Sequence, residues 1–113
     1  MVENDELVYL YGFSPRYSNR MENLISIIEE QLRLNAKIKV ILIHDGVIGL
    51  SKKGIMPEVM KKLLNLSIKV YGMSPDLLAR GINPEEIDSR IQCLDYDNLV
   101  DMLAITSNIA SWM

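Results

Sequence analysis

The chain contains one cysteine, one histidine, one tryptophan and one phenylalanine among 113 residues. A lone cysteine excludes an intramolecular disulfide. One His and one Cys, about fifty positions apart, are too few for a zinc-type centre, so no metal is expected. No cofactor is expected either. Basic residues do not dominate: 12 Lys and Arg stand against 15 Asp and Glu, for a net charge of -3 and a pI near 5.1. Proteins that grip nucleic acid unaided usually carry a basic surface, so direct binding of nucleic acid is not expected. The pairs Lys52-Lys53 and Lys61-Lys62 read as solvated surface. No apolar run approaches the roughly 20 residues of a membrane span. The start, MVENDEL, is acidic and lacks the basic and apolar regions of a secretory signal. A cytoplasmic location follows as an expectation, with disorder expected over residues 1–5. The length suits one domain with a core, spanning 1–113.

Two hydrophobic periods alternate along the chain. LVYLYGF (Leu7 to Phe13) reads as a first strand closed by Ser14-Pro15. RMENLISIIEEQLRLN places apolar residues at 21, 24, 25, 28 and 32, one face of a helix. Asn19 is the expected N-cap of that helix, with Glu22 completing a capping box, and Asn35 is the expected stop. KIKVILI (Lys37 to Ile43) suits an internal strand covered on both faces. GIMPEVMKKLLNL predicts a helix with Pro57 at its start and Met60, Leu63 and Leu64 inward. SIKVYGM (Ser67 to Met73) is a third strand. SPDLLARG predicts a helix with Ser74 as N-cap, Pro75 in the first turn and Gly81 past the end. Asn83-Pro84 repeats that start, RIQCL is a fourth strand, and the last segment from Asp95 predicts one or two helices. Strands alternating with helices predict a three-layer α/β/α fold on a mainly parallel open sheet.

In open α/β sheets ligands bind at the carboxyl ends of the strands. The candidate crevice residues there are Ser14, His44, Asp45, Ser74 and Tyr96. A phosphate-binding loop fails, because GVIGLSKKG lacks the required order of glycines and lysine. A dinucleotide fingerprint fails, because YGFSPR has one glycine. His44 and Asp45 look like a base with its orienting carboxylate, but neighbours on an extended strand point to opposite faces. His44 therefore reads as a residue that bonds loop backbone and shapes the crevice. Asp45-Gly46 reads as cap and turn for the next helix. Cys93 reads as a small apolar thiol within a strand, the setting of inert thiols, and is only a weak catalytic candidate. The apolar C-terminal segment exceeds one helical stripe, so Ile109 and Trp112 are expected at an interface and the isolated protein is expected to self-associate.

Five pieces in order, LYGFSPRYSN, ILIHDGV, IKVYGMSPDLLARGI, LDYDNLVDML and Trp112, together resemble the DsrH/TusB family of sulfur-relay subunits. The resemblance implies a three-layer α/β/α fold of the DsrEFH type. It also implies assembly with DsrE/TusD-like and DsrF/TusC-like subunits into a hetero-oligomer that passes persulfide sulfur onward. The sulfur ends either in 2-thiouridine at the tRNA wobble position or in sulfur oxidation. In catalytic relatives a cysteine follows the strand matching IKVYGM, but here Gly72-Met73-Ser74 stands there. The resemblance thus implies a non-catalytic subunit. Two alternatives are a persulfide carrier using Cys93 and a small nucleotide- or flavin-binding module.

Overall fold

The computed structural model describes residues 6–14, 18–106 and 108–113. Its elements are β1 (Glu6–Tyr11), α1 (Ser18–Arg33), β2 (Lys37–Leu42), α2 (Glu58–Leu64), β3 (Lys69–Met73), α3 (Ser74–Ala79), β4 (Ile91–Leu94), α4 (Tyr96–Ala104) and β5 (Ile109–Trp112). Two 3-10 turns, His44–Val47 and Pro84–Glu86, lie in the connections. The five strands form one parallel sheet in the order β4-β3-β2-β1-β5. This is the expected α/β fold with a parallel open sheet.

The strand order explains the layers. The first three crossovers all step the same way across the sheet, so right-handed connections put their helices on one face. The last crossover, from β4 to β5, runs back over the whole sheet, so the same rule puts α4 on the other face. The packing agrees. Met21, Leu24, Ile25 and Ile28 of α1 and Val59, Met60, Leu63 and Leu64 of α2 form the larger core with Tyr9, Tyr11, Val40 and Leu42. On the second face Val8, Ile41, Ile43, Tyr71, Met73 and Leu94 cluster with Leu10 and, among the described residues, with Leu99, Met102 and Leu103 of α4. Five strands about 4.8 Å apart spread over roughly 20 Å, while one helix covers about 10 Å. The second layer is therefore thin, and no residue of α4 is buried.

The central strand behaves as its sequence predicts. β2 lies between β1 and β3, with Ile38, Val40, Ile41 and Leu42 buried. Asn35 ends α1 with a left-handed backbone (φ 66°), a conformation its short polar side chain tolerates. Gly81 (φ 72°) follows α3 as expected.

Several local expectations are corrected. The C-terminal segment is a helix followed by a strand. Ile109–Trp112 pairs in parallel with β1, so Trp112 is half-buried in an edge strand rather than set on a helix. Short apolar runs fit either period, and here the open edge of β1 decides. Asn19 lies inside α1, whose first residue is Ser18. Ser74 is the first residue of α3, and Met73 occupies the cap position without any side-chain bond. Asn83 does cap its turn, accepting the Glu85 N–H at 2.9 Å. The disorder expected for residues 1–5 lies outside the described residues.

Candidate functional site

The carboxyl edge of the sheet is shaped first by the turn after β2. The chain turns sharply at Gly46, which is buried under β1. A Cβ there would overlap the Tyr11 carbonyl oxygen, so only glycine fits. The same carbonyl accepts the Ile43 N–H at 2.9 Å. This close approach locks the end of β2 to the end of β1. Two residues before Gly46, His44 has a left-handed backbone (φ 49°), a strained conformation for a residue other than glycine.

A polar bracket from α3 holds the strained turn. The His44 backbone N–H donates to Asp76 Oδ2 at 2.9 Å. Arg80 donates through Nε to Asp45 Oδ1 at 3.0 Å and through a terminal nitrogen to the Asp76 carbonyl at 3.1 Å. Its second ion pair, to Asp76 Oδ1, spans 3.7 Å. Asp45 is therefore not a helix cap: its carboxylate ties the turn to α3, and the 3-10 turn begins without any side-chain cap. His44 makes its backbone bond through its own N–H rather than its ring. The ring lies against Gly12, 3.5 Å from where a side chain would start. Asp76 and Arg80 went unread in the sequence. Their i,i+4 spacing in SPDLLAR was the available signal.

The crevice itself follows from topology. Chains leaving β1, β2 and β3 turn toward the first face, whereas the chain leaving β4 turns toward the second. Adjacent strands with opposite exits open a crevice at their carboxyl ends. Here those strands are β3 and β4, in register at Met73 and Leu94. Ser74, half-buried, follows one, and Asp95 with exposed Tyr96 follows the other. The Asp95 carboxylate accepts the Asn98 N–H at 2.8 Å and so caps α4. Two of the five candidate residues, Ser74 and Tyr96, thus stand at the carboxyl ends of β3 and β4. His44 and Asp45 belong to the turn after β2, and half-buried Ser14 follows β1.

Cys93 is exposed, which corrects the expectation of a strand-buried thiol. It lies in edge strand β4, opposite Gly72, and its thiol reaches the Pro84 carbonyl at 3.5 Å. The alternation of β4 turns it toward the first face, two positions short of Asp95. Among the described residues, no group of three or more His, Cys, Asp or Glu could hold a metal ion. No helix is long and apolar enough to cross a membrane among them.

Comparison with known proteins adds to this geometry. The chain is similar in structure to the ychN protein from E. coli, with a TM-score of 0.73 and 16% identity, over 95% of this chain and 98% of that one. It is also similar to MTH1491, a protein of unknown function from Methanobacterium thermoautotrophicum, with a TM-score of 0.69 and 14% identity, over 96% and 99% of the two chains. At these identities the likeness establishes the fold alone. No curated protein sequence matches. The model of one family, described as DsrH like protein, matches residues 13–108, which include β2, β3 and β4, the four helices and the turn after β2. The chain belongs to the DsrH-like family.

Proposed function

We propose that this chain is a non-catalytic subunit of a sulfur-relay complex, serving tRNA wobble-uridine thiolation or sulfur oxidation in the cytoplasm. The observation that carries the reading is at the carboxyl ends of β3 and β4, where Ser74 and Tyr96 follow the strands and no cysteine does. A hydroxyl cannot carry a persulfide, so sulfur would be held by a cysteine of a DsrE/TusD-like or DsrF/TusC-like subunit. The thin second layer supports a partner role. Leu10 is half-buried, and Ile109 and Val100 are 43% and 63% exposed on that side. Ile109 stands on the edge strand β5 and Val100 on α4, whereas Val8 of β1 on the same face is buried. Exposed apolar surface of this kind marks interfaces. A related subunit docking there would complete the layer.

The exposure of Cys93 favours one second reading, in which this thiol itself carries persulfide. One experiment separates the two. Reconstitute the relay with co-purified partners and compare wild type with Cys93→Ser. Unchanged transfer is the expected result. Lost transfer with the complex still assembled would replace the subunit reading with the carrier reading. Ile109→Asp should in turn release the partner subunits while the isolated chain stays folded.

A further inference from the structure

Far from the crevice, at the amino ends of β2 and β3, lies a cavity of about 470 Å³. Its lining includes Lys37, Lys39 and Lys69, together with Glu6 and Ser67. That volume lies within the range of small-molecule sites. The strand register explains the convergence. Lys39 and Lys69 are direct neighbours on β2 and β3. Lys37, two residues before Lys39, projects to the same face, roughly 7 Å away along the strand. Like charges placed directly opposite across a sheet repel. Among the described residues one of the three is relieved: Lys39 pairs with Glu6 at 3.1 Å. Among the described residues, Lys37 and Lys69 make no ion pair. Both strands are internal, so these lysines do not serve to guard a sheet edge against pairing.

Among the described residues the lining thus has three ammonium groups and one carboxylate, on a chain whose net charge is -3. We infer that this pocket is a binding site for a small polyvalent phosphate. The donor set chooses the ligand class. Arginine is the residue suited to planar, two-pronged recognition of carboxylates, and none lines the pocket among the described residues. Lysines act as point charges and suit a tetrahedral polyanion, with the Ser67 hydroxyl as an added donor. A nucleic-acid backbone is the poorer match, because the lysines form a compact cluster rather than a stripe along the acidic surface.

The test is a titration of the isotope-labelled protein with inorganic pyrophosphate, followed by amide chemical shifts. Saturable shifts are expected at residues 36–39 and 67–69. Removing one charge close to the ligand in water should weaken binding about fourfold, so Lys37→Gln and Lys69→Gln should each do so. Both side chains are exposed, which keeps the fold intact in the variants. Lys53→Gln, which lies outside the pocket, should leave the affinity unchanged. Raising the salt should weaken binding further. Three results would overturn the site: shifts that fail to saturate, shifts spread equally over surface lysines, or affinity untouched by both pocket variants.

Discussion

The hydroxyl of Tyr11 offers a sharp test of the packing beneath the carboxyl edge. Tyr11 is 1% exposed, and its hydroxyl has no hydrogen-bond partner among the described residues. Its ring meets Phe13 edge-on, with centroids 5.7 Å apart, and the Arg20 guanidinium lies 4.4 Å from the Phe13 centroid. Burial pushes the Tyr11 pKa up, and the charge of Arg20 only partly opposes that. A buried hydroxyl without a partner costs about 1–3 kcal/mol. Tyr11→Phe keeps the ring and removes that cost, leaving a gap of one oxygen atom. The expected result is a gain of about 1 kcal/mol after the lost dispersion contacts, or about 4 °C in Tm for a chain of this length. Urea unfolding would read it as a higher midpoint at unchanged slope. Alkaline titration gives a second readout. A raised pKa contributes stability that is whole below pH 10 and is lost as pH rises through the folded value, so the variant should lack that loss. A loss of 1 kcal/mol or more at neutral pH would refute the reasoning, because it would mean the hydroxyl is satisfied.

Three further outcomes follow from the same contacts. Asp76→Ala should cost about 2 kcal/mol, because a carboxylate that is 13% exposed loses its bond to the strained His44 N–H, whereas the more exposed Asp45→Ala should cost under about 0.5 kcal/mol; paired urea titrations would show the order, and equal losses would contradict it. Gly46→Ala should cost about 3 kcal/mol or abolish folding, since its Cβ would meet the Tyr11 backbone, and a variant of wild-type stability would disprove that close approach. Hydrogen bonds from Arg90 hold the Asp88 carboxyl down at about 2 against an ordinary 3.8, so its contribution is whole above pH 3.8 and is lost as pH falls toward 2. The stability gap between wild type and Arg90→Gln should therefore close over that window, and a gap that stays constant with pH would exclude Asp88 as its source.

Much of the fold was legible because it rests on local pattern. The apolar face of α1, the doubly covered β2 and the left-handed stops at Asn35 and Gly81 each follow from spacing or residue type within a few positions. The family resemblance likewise rested on short pieces in order. The carboxyl-edge positions of His44, Asp45, Ser74 and Tyr96 could be read from the ends of the strands.

Tertiary structure decided what depends on partners distant in sequence. NIASW is apolar enough for helix or strand, and only the free edge of β1 made it β5. Asp45 reads as a cap because Asp is a preferred N-cap residue and a helix follows, yet Arg80, thirty-five residues on, takes its carboxylate. Cys93 looked buried because strands usually are, but β4 is an edge strand and leaves the thiol exposed. The lysine cluster arises only when β2 and β3 align Lys39 with Lys69. Sequence spacing fixes which residues share a face of one element, because helix and strand periods are local. Which faces meet depends on strand order and crossover hand, and these emerge only when the whole chain closes on its core.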